Sequence, residues 1–194
     1  MTEKERAMER RAAAMPGGFQ TREEGEDLYI EGYFAVFNSN YEIWPGATES
    51  VAPGAFSGTL GNDVRALIDH ETRLVLGRSK AGTLELKEDS HGLWGRVKIN
   101  RQDQDAMNLY ERVKRGDVDQ CSFGFQIREE ETEIKEDGSV HWTIKDVDLY
   151  EVSVVTFPAY EDTAVTARKR DFENLQKRQD EKRRAEILKK LKGD

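Results

Sequence analysis

The stretch from Asp119 to Ile127 constrains the fold most strongly, because from Cys121 onward its side chains alternate between apolar and small or polar. In an extended strand one face would carry Cys121, Phe123, Phe125 and Ile127, and the other Ser122, Gly124 and Gln126. The apolar row predicts a strand that packs on a core. The second row presents a serine hydroxyl beside a glycine, whose missing side chain lets another group come close. That pattern suits a nucleophile and also an ordinary half-buried strand, so its interpretation depends on partner residues elsewhere.

Composition predicts one domain with a core and charged ends. Of the 194 residues, 35% are charged and 37% hydrophobic, so part of the chain is expected to pack against nothing. The single cysteine, Cys121, leaves no internal disulfide or cysteine-rich zinc site and predicts a reducing compartment. No apolar run reaches the roughly 18 residues of a membrane span, and no signal peptide opens the chain. We therefore expect a soluble intracellular protein without metal, cofactor or membrane contact.

The net charge of −8 is unevenly distributed along the chain. Residues 168–194 carry 11 Lys or Arg against 6 Asp or Glu, so the tail is basic and the body strongly acidic. An acidic body argues against nucleic-acid binding, because phosphate contacts need clustered cations. A solvent-exposed helix is the preferred interpretation of the tail, and binding of an acidic partner is the alternative.

Three regions follow along the chain. Residues 1–25 form a leader in which residues 3–15 are rich in helix formers and Pro16 ends the helix. This leader and residues 168–194 are both predicted to be mobile. Residues 26–167 form the folded domain, and residues 168–194 are the charged tail. Strands are predicted at 28–37, 63–70, 74–78, 83–88, 93–99, 119–127, 132–135, 139–145 and 146–157. Residues 41–61 are interpreted as a loop with a short helical turn at 52–56.

One helix interrupts these strands. Asn100 is expected to cap it, with Asp103 reaching back to its first turn and Gly116 ending it. Its apolar positions recur with helical spacing at Ala106, Leu109, Tyr110 and Val113. The predicted fold class is therefore mainly β with helices (α+β), an antiparallel sheet bent into a barrel.

The last predicted strand contains a carboxylate among apolar neighbours. Glu151 and Ser153 would share a face with Val147, Leu149, Val155 and Phe157. Such a carboxylate needs a partner, either a structural one or a histidine that it orients.

Three histidines are available as that partner. His91 is expected to lie exposed in a tight turn, and His141 lies in a hairpin beside Trp142. His70 ends an apolar strand and opens a loop, where its ring can lean over a neighbouring site. Ser122, His70 and Glu151 thus supply the residue types of a nucleophile, a general base and an orienting acid. Spacing alone does not show that the three meet.

Six segments together resemble the prohead (capsid-maturation) proteases of tailed bacteriophages, in the order and spacing of that family. The resemblance covers about residues 28–167. The segments are Ile30–Asn38, Ala52–Phe56, Ala66–Glu71, Leu76–Arg78, Cys121–Phe125 and Leu149–Val155. It implies a serine endopeptidase on a β-barrel surrounded by helices, related to the herpesvirus maturation proteases (assemblins).

By position in this family, His70 is the base and Ser122 the nucleophile. Glu151 is preferred as the third member; His141, Asp146 and Asp148 remain alternatives, since the herpesvirus relatives use a second histidine. Ser153 is a rival nucleophile that is expected instead to hydrogen-bond within its strand.

The resemblance also implies the substrates and the place of action. The partners would be the major capsid protein with its scaffolding region, and the protease itself, within the prohead assembling in the host cytoplasm. Self-association is left open, and no nucleic acid is required. A non-enzymatic scaffold or interaction protein with the same barrel is the alternative function.

Overall fold

Eleven strands, two α-helices and one 3₁₀ turn make up the described part of the chain. The structure is a computed structural model and describes residues 9–13, 19–157 and 162–192. The strands are β1 (Glu9–Ala13), β2 (Gln20–Glu24), β3 (Asp27–Val36), β4 (Tyr41–Trp44), β5 (Ala47–Val51), β6 (Arg65–Ile68), β7 (Glu71–Arg78), β8 (Leu84–Glu88), β9 (Gly92–Ile99), β10 (Gln120–Ile134) and β11 (Val140–Val155). The 3₁₀ turn is Ser79–Ala81, and the helices are α1 (Gln104–Arg115) and α2 (Asp162–Lys192).

The larger sheet has seven strands and is organised around β11. Strand β10 pairs with β11 antiparallel along one edge, and β1 pairs antiparallel with the outer edge of β10. The other edge of β11 is shared by two strands that run parallel to it. Its first half pairs with β5 and its second half with β6, while β4 and β7 flank β5 and β6.

The smaller sheet has the order β2-β3-β9-β8 and is antiparallel throughout.

A cluster of buried aromatic rings joins the inward side of β10 to the loop after β5. Phe123 stacks on Phe125 at 4.8 Å between ring centroids and meets Phe56 edge-on at 5.5 Å. Rings packed at these separations add directional contacts to the burial of apolar area. The apolar side of the serine strand is therefore anchored in the core, as its alternation predicts.

Helix α1 buries the four apolar residues that the spacing selected, Ala106, Leu109, Tyr110 and Val113. Its N-cap differs from the prediction. The side chain of Asp103 accepts hydrogen bonds from the N–H groups of Asp105 and Ala106, whereas Asn100 accepts from Gln102 one turn earlier. Asp103, whose carboxylate accepts hydrogen bonds from the first helical turn, is thus the N-cap. Gly116 ends the helix with a left-handed backbone, as predicted.

The mainly β class with helices (α+β) is confirmed, but the predicted barrel is not found. Within residues 9–13, 19–157 and 162–192 the strands form two separate sheets and no closed barrel. Residues 41–51, interpreted as loop, contain the hairpin of β4 and β5. The two C-terminal predicted strands are continuous in β11, so β10 and β11 form one long hairpin around Asp137 and Gly138.

The leader does not have the predicted helical structure where it is described. Glu9–Ala13 is a strand paired with β10, and Gln20–Glu24 is already part of the smaller sheet. The paired strands thus begin earlier than the expected domain start at residue 26. The remaining leader residues of the predicted helix lie outside the described residues.

The chain divides by its contacts into two units, Met1–Tyr160 and Glu161–Asp194. The second unit contains α2, which agrees with the helix predicted for the tail. Most of its described side chains are exposed, including Ile187 and Leu188. None of the helices in the described ranges combines the length and the apolar character that crossing a bilayer requires.

Candidate active site

Ser122 lies in the middle of the larger sheet. Its Cα is paired with Ser153 on β11 and, on the other edge of β10, with Ala12 on β1. The residue is fully buried. Because Phe123 and Phe125 point into the core, Ser122 and Gly124 point to the opposite face of the sheet.

His70 is presented by a two-residue turn between β6 and β7. Ile68 pairs with Glu71, so only Asp69 and His70 form the loop. Their φ angles are 48° and 60°, the left-handed values that such short hairpin loops require. A left-handed histidine is unusual and costs free energy, and strain of this kind concentrates at functional sites.

Asp69 ties this turn to the end of β11. Its backbone N–H donates to the carbonyl oxygen of Val154 at 3.0 Å. Its carboxylate accepts from the N–H of Thr156 at 2.7 Å. The turn is therefore fixed at both its backbone and its side chain, and the imidazole is directed over β11. Asp69 was not identified from the sequence; the Asp-His pair at a strand end was the available signal.

We expect Asp69→Ala to lower both stability and proteolytic rate. Alanine tolerates a left-handed backbone less well than aspartate and accepts no hydrogen bond from Thr156, which predicts a loss of about 1–2 kcal/mol. Urea unfolding and initial cleavage rates measure the two effects. Asp69→Asn keeps an acceptor oxygen and is the matched control, expected to stay close to wild type. A wild-type rate in Asp69→Ala would show that the turn does not need the hydrogen bond from Thr156.

The imidazole of His70 is bound to the carboxylate of Glu151. The Nδ1–Oε1 distance is 2.6 Å, and both side chains are 6% exposed. The second ring nitrogen, Nε2, is buried and has no hydrogen-bond partner in the described part of the chain. An imidazole whose Nδ1 donates to a carboxylate leaves Nε2 as a proton acceptor. This is the tautomer that a general base requires.

A bulge in β11 brings Glu151 to the face of Ser122. Gly124 pairs with Glu151 but the next residue, Phe125, pairs with Leu149, so Tyr150 is an extra residue on β11. The alternation therefore changes phase: Leu149 lies in the core before the bulge and Val152 after it. The prediction that Glu151 shares a face with Val147 and Leu149 is thus wrong, whereas Ser153 and Val155, which follow the bulge, stay in phase with Glu151.

Gly124 provides the space that the carboxylate occupies. A Cβ atom built on Gly124 would lie 2.4 Å from Oε1 of Glu151 and 3.0 Å from its carboxyl carbon. Real Cβ atoms do not approach so closely, so any side chain here displaces the acid. The glycine next to the serine strand's hydroxyl thus has a steric reason to be present.

Ser153 hydrogen-bonds within its own strand, as predicted. Its hydroxyl donates to Oε2 of Glu151 at 2.6 Å, and the residue is fully buried. The two oxygens of Glu151 therefore have different partners, the imidazole on one and the hydroxyl on the other.

The alternative third members have other partners. His141 lies on the first half of β11, with its ring nitrogens 2.8 Å from the hydroxyl oxygen of Thr48 and 2.9 Å from that of Ser50. Asp146 and Asp148 both lie beside the guanidinium group of Arg128. His91 is exposed, as predicted, and stands edge-on to Tyr33.

Strand β1 brings a cation to the same site. Arg10 is opposite Gly124, and its Nε lies 3.8 Å from Oε1 of Glu151. Ala12, two residues on, is opposite Ser122. The outer edge of the serine strand is thus covered by backbone that runs antiparallel to it.

No group of three or more potential metal ligands occurs within the described ranges.

A buried histidine–carboxylate pair supplies a base and its orienting acid, two of the three groups that a serine hydrolase uses, and Ser122 lies on the strand paired with that of Glu151. A family model described as caudovirus prohead serine protease matches residues 18–178. The chain belongs to this family.

One relative and one solved structure specify the similarity. The chain is 30% identical over 163 residues to the prohead protease of Enterobacteria phage HK97, which covers 78% of this chain and 68% of that protein. The structure of the capsid assembly protease of bacteriophage T4 covers 80% of this chain and 100% of its own, with a TM-score of 0.51 and 11% identity. At that identity the T4 structure shows a shared fold.

Proposed function

We propose that the protein is a serine endopeptidase that cleaves the scaffolding region of the major capsid protein during prohead maturation. The observation that carries this is the 2.6 Å bond between His70 and Glu151, together with a ring Nε2 that has no hydrogen-bond partner among the described residues. In a chain of the prohead serine protease family, an imidazole held in this way is ready to accept a proton from a serine.

Ser122, His70 and Glu151 have separate roles in the proposed reaction. Nε2 of His70 takes the proton of the Ser122 hydroxyl as its oxygen attacks the peptide carbonyl carbon. The imidazolium, stabilised by Glu151, then gives this proton to the leaving amine nitrogen, and the acyl group remains on Ser122. Water repeats the sequence and releases the acid. Backbone N–H groups are the proposed donors to the oxyanion.

The relatives support the proposed setting of the reaction. The named relatives are a prohead protease and a capsid assembly protease, which supports action inside the assembling prohead on capsid and scaffold chains. The mainly β architecture is compatible with the proposed kinship to herpesvirus assemblin. The acidic body supports a role without nucleic acid.

Self-cleavage is part of the proposal, and β1 supports it. A substrate of a serine protease binds as an extended chain beside an enzyme strand, with its backbone paired to that strand. Residues 9–13 lie on β10 in this manner, with Ala12 across from Ser122. This pairing of residues 9–13 supports the leader as a substrate of the same chain or of another copy.

The test of the proposed function is coexpression of this chain with a capsid protein that carries its scaffolding region. We expect the capsid protein to become shorter, and its intact mass to stay unchanged when Ser122→Ala replaces the wild type. A capsid protein of full mass in both cultures would favour a non-enzymatic scaffold role.

Self-cleavage predicts a second result with the purified protein alone. Intact mass should decrease with time by an N-terminal fragment that ends within residues 9–14, and Ser122→Ala should keep its full mass. Mixing isotopically labelled Ser122→Ala with unlabelled wild type separates cleavage within a chain from cleavage between chains. A stable wild-type leader alongside active capsid cleavage would remove self-cleavage from the proposal.

A further inference from the structure

We propose that Ser153 is a positioning residue for the acid of this site. Its hydroxyl holds the Glu151 carboxylate so that the other oxygen faces His70. This inference rests on the proposed function and adds a fourth residue to it. It also assigns a role to the serine that rivals Ser122 as nucleophile.

The hydrogen bonds give Ser153 a different position in the site from Ser122. Its hydroxyl donates to Oε2 of Glu151 at 2.6 Å, and Oε1 of the same carboxylate lies 2.6 Å from Nδ1 of His70. The proton of Ser153 is therefore directed to the acid, and the base is reached only through it. A nucleophile needs its proton on the base.

The hydroxyl satisfies an oxygen that is otherwise costly to bury. Glu151 is 5% exposed and Ser153 fully buried, and a buried carboxylate oxygen without a donor loses its hydration uncompensated. A glutamate side chain also has three rotatable bonds, so one contact at Oε1 does not fix its orientation. With a donor on each oxygen, rotation of the carboxylate breaks at least one short bond.

The surroundings of the carboxylate make this donor important. Gly124 makes the space in which the carboxylate lies, and because it has no side chain it does not itself hold the carboxylate in place. Arg10 of β1 is the other cation at the site, 3.8 Å from Oε1. On β6, Arg65 is opposite Glu151 in register, but its guanidinium is paired with Asp63. Without Ser153, Arg10 and His70 would compete for a freely turning carboxylate.

Labelling with a fluorophosphonate tests the proposal without knowledge of the peptide substrate. The serine oxygen bonds to phosphorus, fluoride leaves with the P–F bond electrons, and the serine proton passes to the base. We measure the second-order rate constant against pH for the full chain and locate the label by peptide mapping. The variants are Ser153→Ala, Ser153→Thr and Ser50→Ala.

Ser50→Ala is the matched control. Ser50, on β5, is also buried, and its hydroxyl oxygen lies 2.9 Å from Nε2 of His141. His141 is on the first half of β11, away from Glu151. Its removal has a comparable structural cost away from the site. We expect it to leave the labelling rate and its pH profile unchanged.

For Ser153→Ala we expect the label on Ser122, with a rate about 100-fold lower because the imidazole is misplaced. The acidic limb of the profile should move to lower pH, since an imidazolium whose carboxylate has turned away toward Arg10 loses the negative charge that stabilises it. Ser153→Thr keeps the hydroxyl and should recover most of the rate and the original limb. A purely structural role would lower the rate without moving the limb.

Three results would overturn the proposal. They are a Ser153→Ala chain with the wild-type rate and the wild-type acidic limb, a Ser153→Ala chain with a lower rate and an unmoved acidic limb, and a label attached to Ser153 in the wild type.

A wild type that takes no label would contradict the proposed function, and a spectroscopic measurement then decides on Ser153. The Nδ1 proton of His70, identified by its absence in His70→Gln, should resonate far downfield in wild type and shift in Ser153→Ala. An unshifted resonance counts against the positioning role.

Discussion

Ser122→Ala should reduce proteolysis to background, a loss of about 10⁶-fold, because the proposed acyl intermediate forms on the Ser122 oxygen, whereas the Ser153 hydroxyl donates to Glu151. Folding should stay nearly intact, since the aromatic anchors of β10 lie on the opposite face. Circular dichroism and thermal unfolding check the fold, and cleavage of the capsid protein precursor checks the activity.

Ser50→Ala again serves as the matched variant, a buried serine of the same sheet that is expected to retain full activity. Ser153→Ala gives the decisive comparison. If Ser122→Ala keeps cleaving while Ser153→Ala is silent, the nucleophile has to be moved to β11.

Glu151→Gln should lower the cleavage rate by about four powers of ten, the size of the Asp→Asn effect in the trypsin triad. Glutamine keeps the shape and can still contact His70 and Ser153, but it lacks the charge that stabilises the imidazolium. It can also present its amide N–H₂ to Nδ1, which selects the wrong tautomer. The measurement is the initial rate of capsid precursor cleavage by variants shown to be folded.

His141→Gln is the comparison for this prediction and should cost little activity. The ring of His141 is 2.8 Å from Thr48 and 2.9 Å from Ser50, so its partners are structural hydroxyls. His70→Gln should be severe in any arrangement that uses this base. A near wild-type rate in Glu151→Gln, combined with a strong defect in His141→Gln, would require a triad of the herpesvirus type.

The sequence predicts best where one periodicity runs unbroken. The alternation around Ser122 gave the correct faces of β10, and the helical spacing from Ala106 to Val113 gave the buried face of α1. In both cases the burial of apolar side chains alone decides the orientation.

The prediction failed where the backbone departs from that regularity. Tyr150 is an extra residue, and a single insertion moves every later side chain of the strand to the opposite face. No residue type in this part of the sequence indicates the bulge. The pairing of Glu151 with His70 was therefore expected from residue types and family position, while the face that Glu151 would share with Val147 and Leu149 was wrong.

Local sequence patterns also did not predict which distant strands pair with each other. Residues 9–13 contain good helix formers, yet they form a strand because the edge of β10 offers unpaired backbone groups. Likewise the two-residue turn at Asp69 and His70 lacks the usual Asn-Gly signal. Tertiary contacts override helix propensity in the first case, and the bond of Asp69 to Thr156 stabilises the turn in the second.

The three proposed catalytic residues differ in how firmly the fold holds them. Ser122 and Glu151 are on directly paired strands, whose separation of about 4.8 Å is a property of every β-sheet and cannot change without breaking the ladder. His70 is attached through a two-residue turn whose tie to Thr156 is at the surface. A shift of this turn would therefore displace the imidazole and leave the other two residues where they are. A partner that touched residues 69 and 156 could switch the enzyme off while leaving every strand in place.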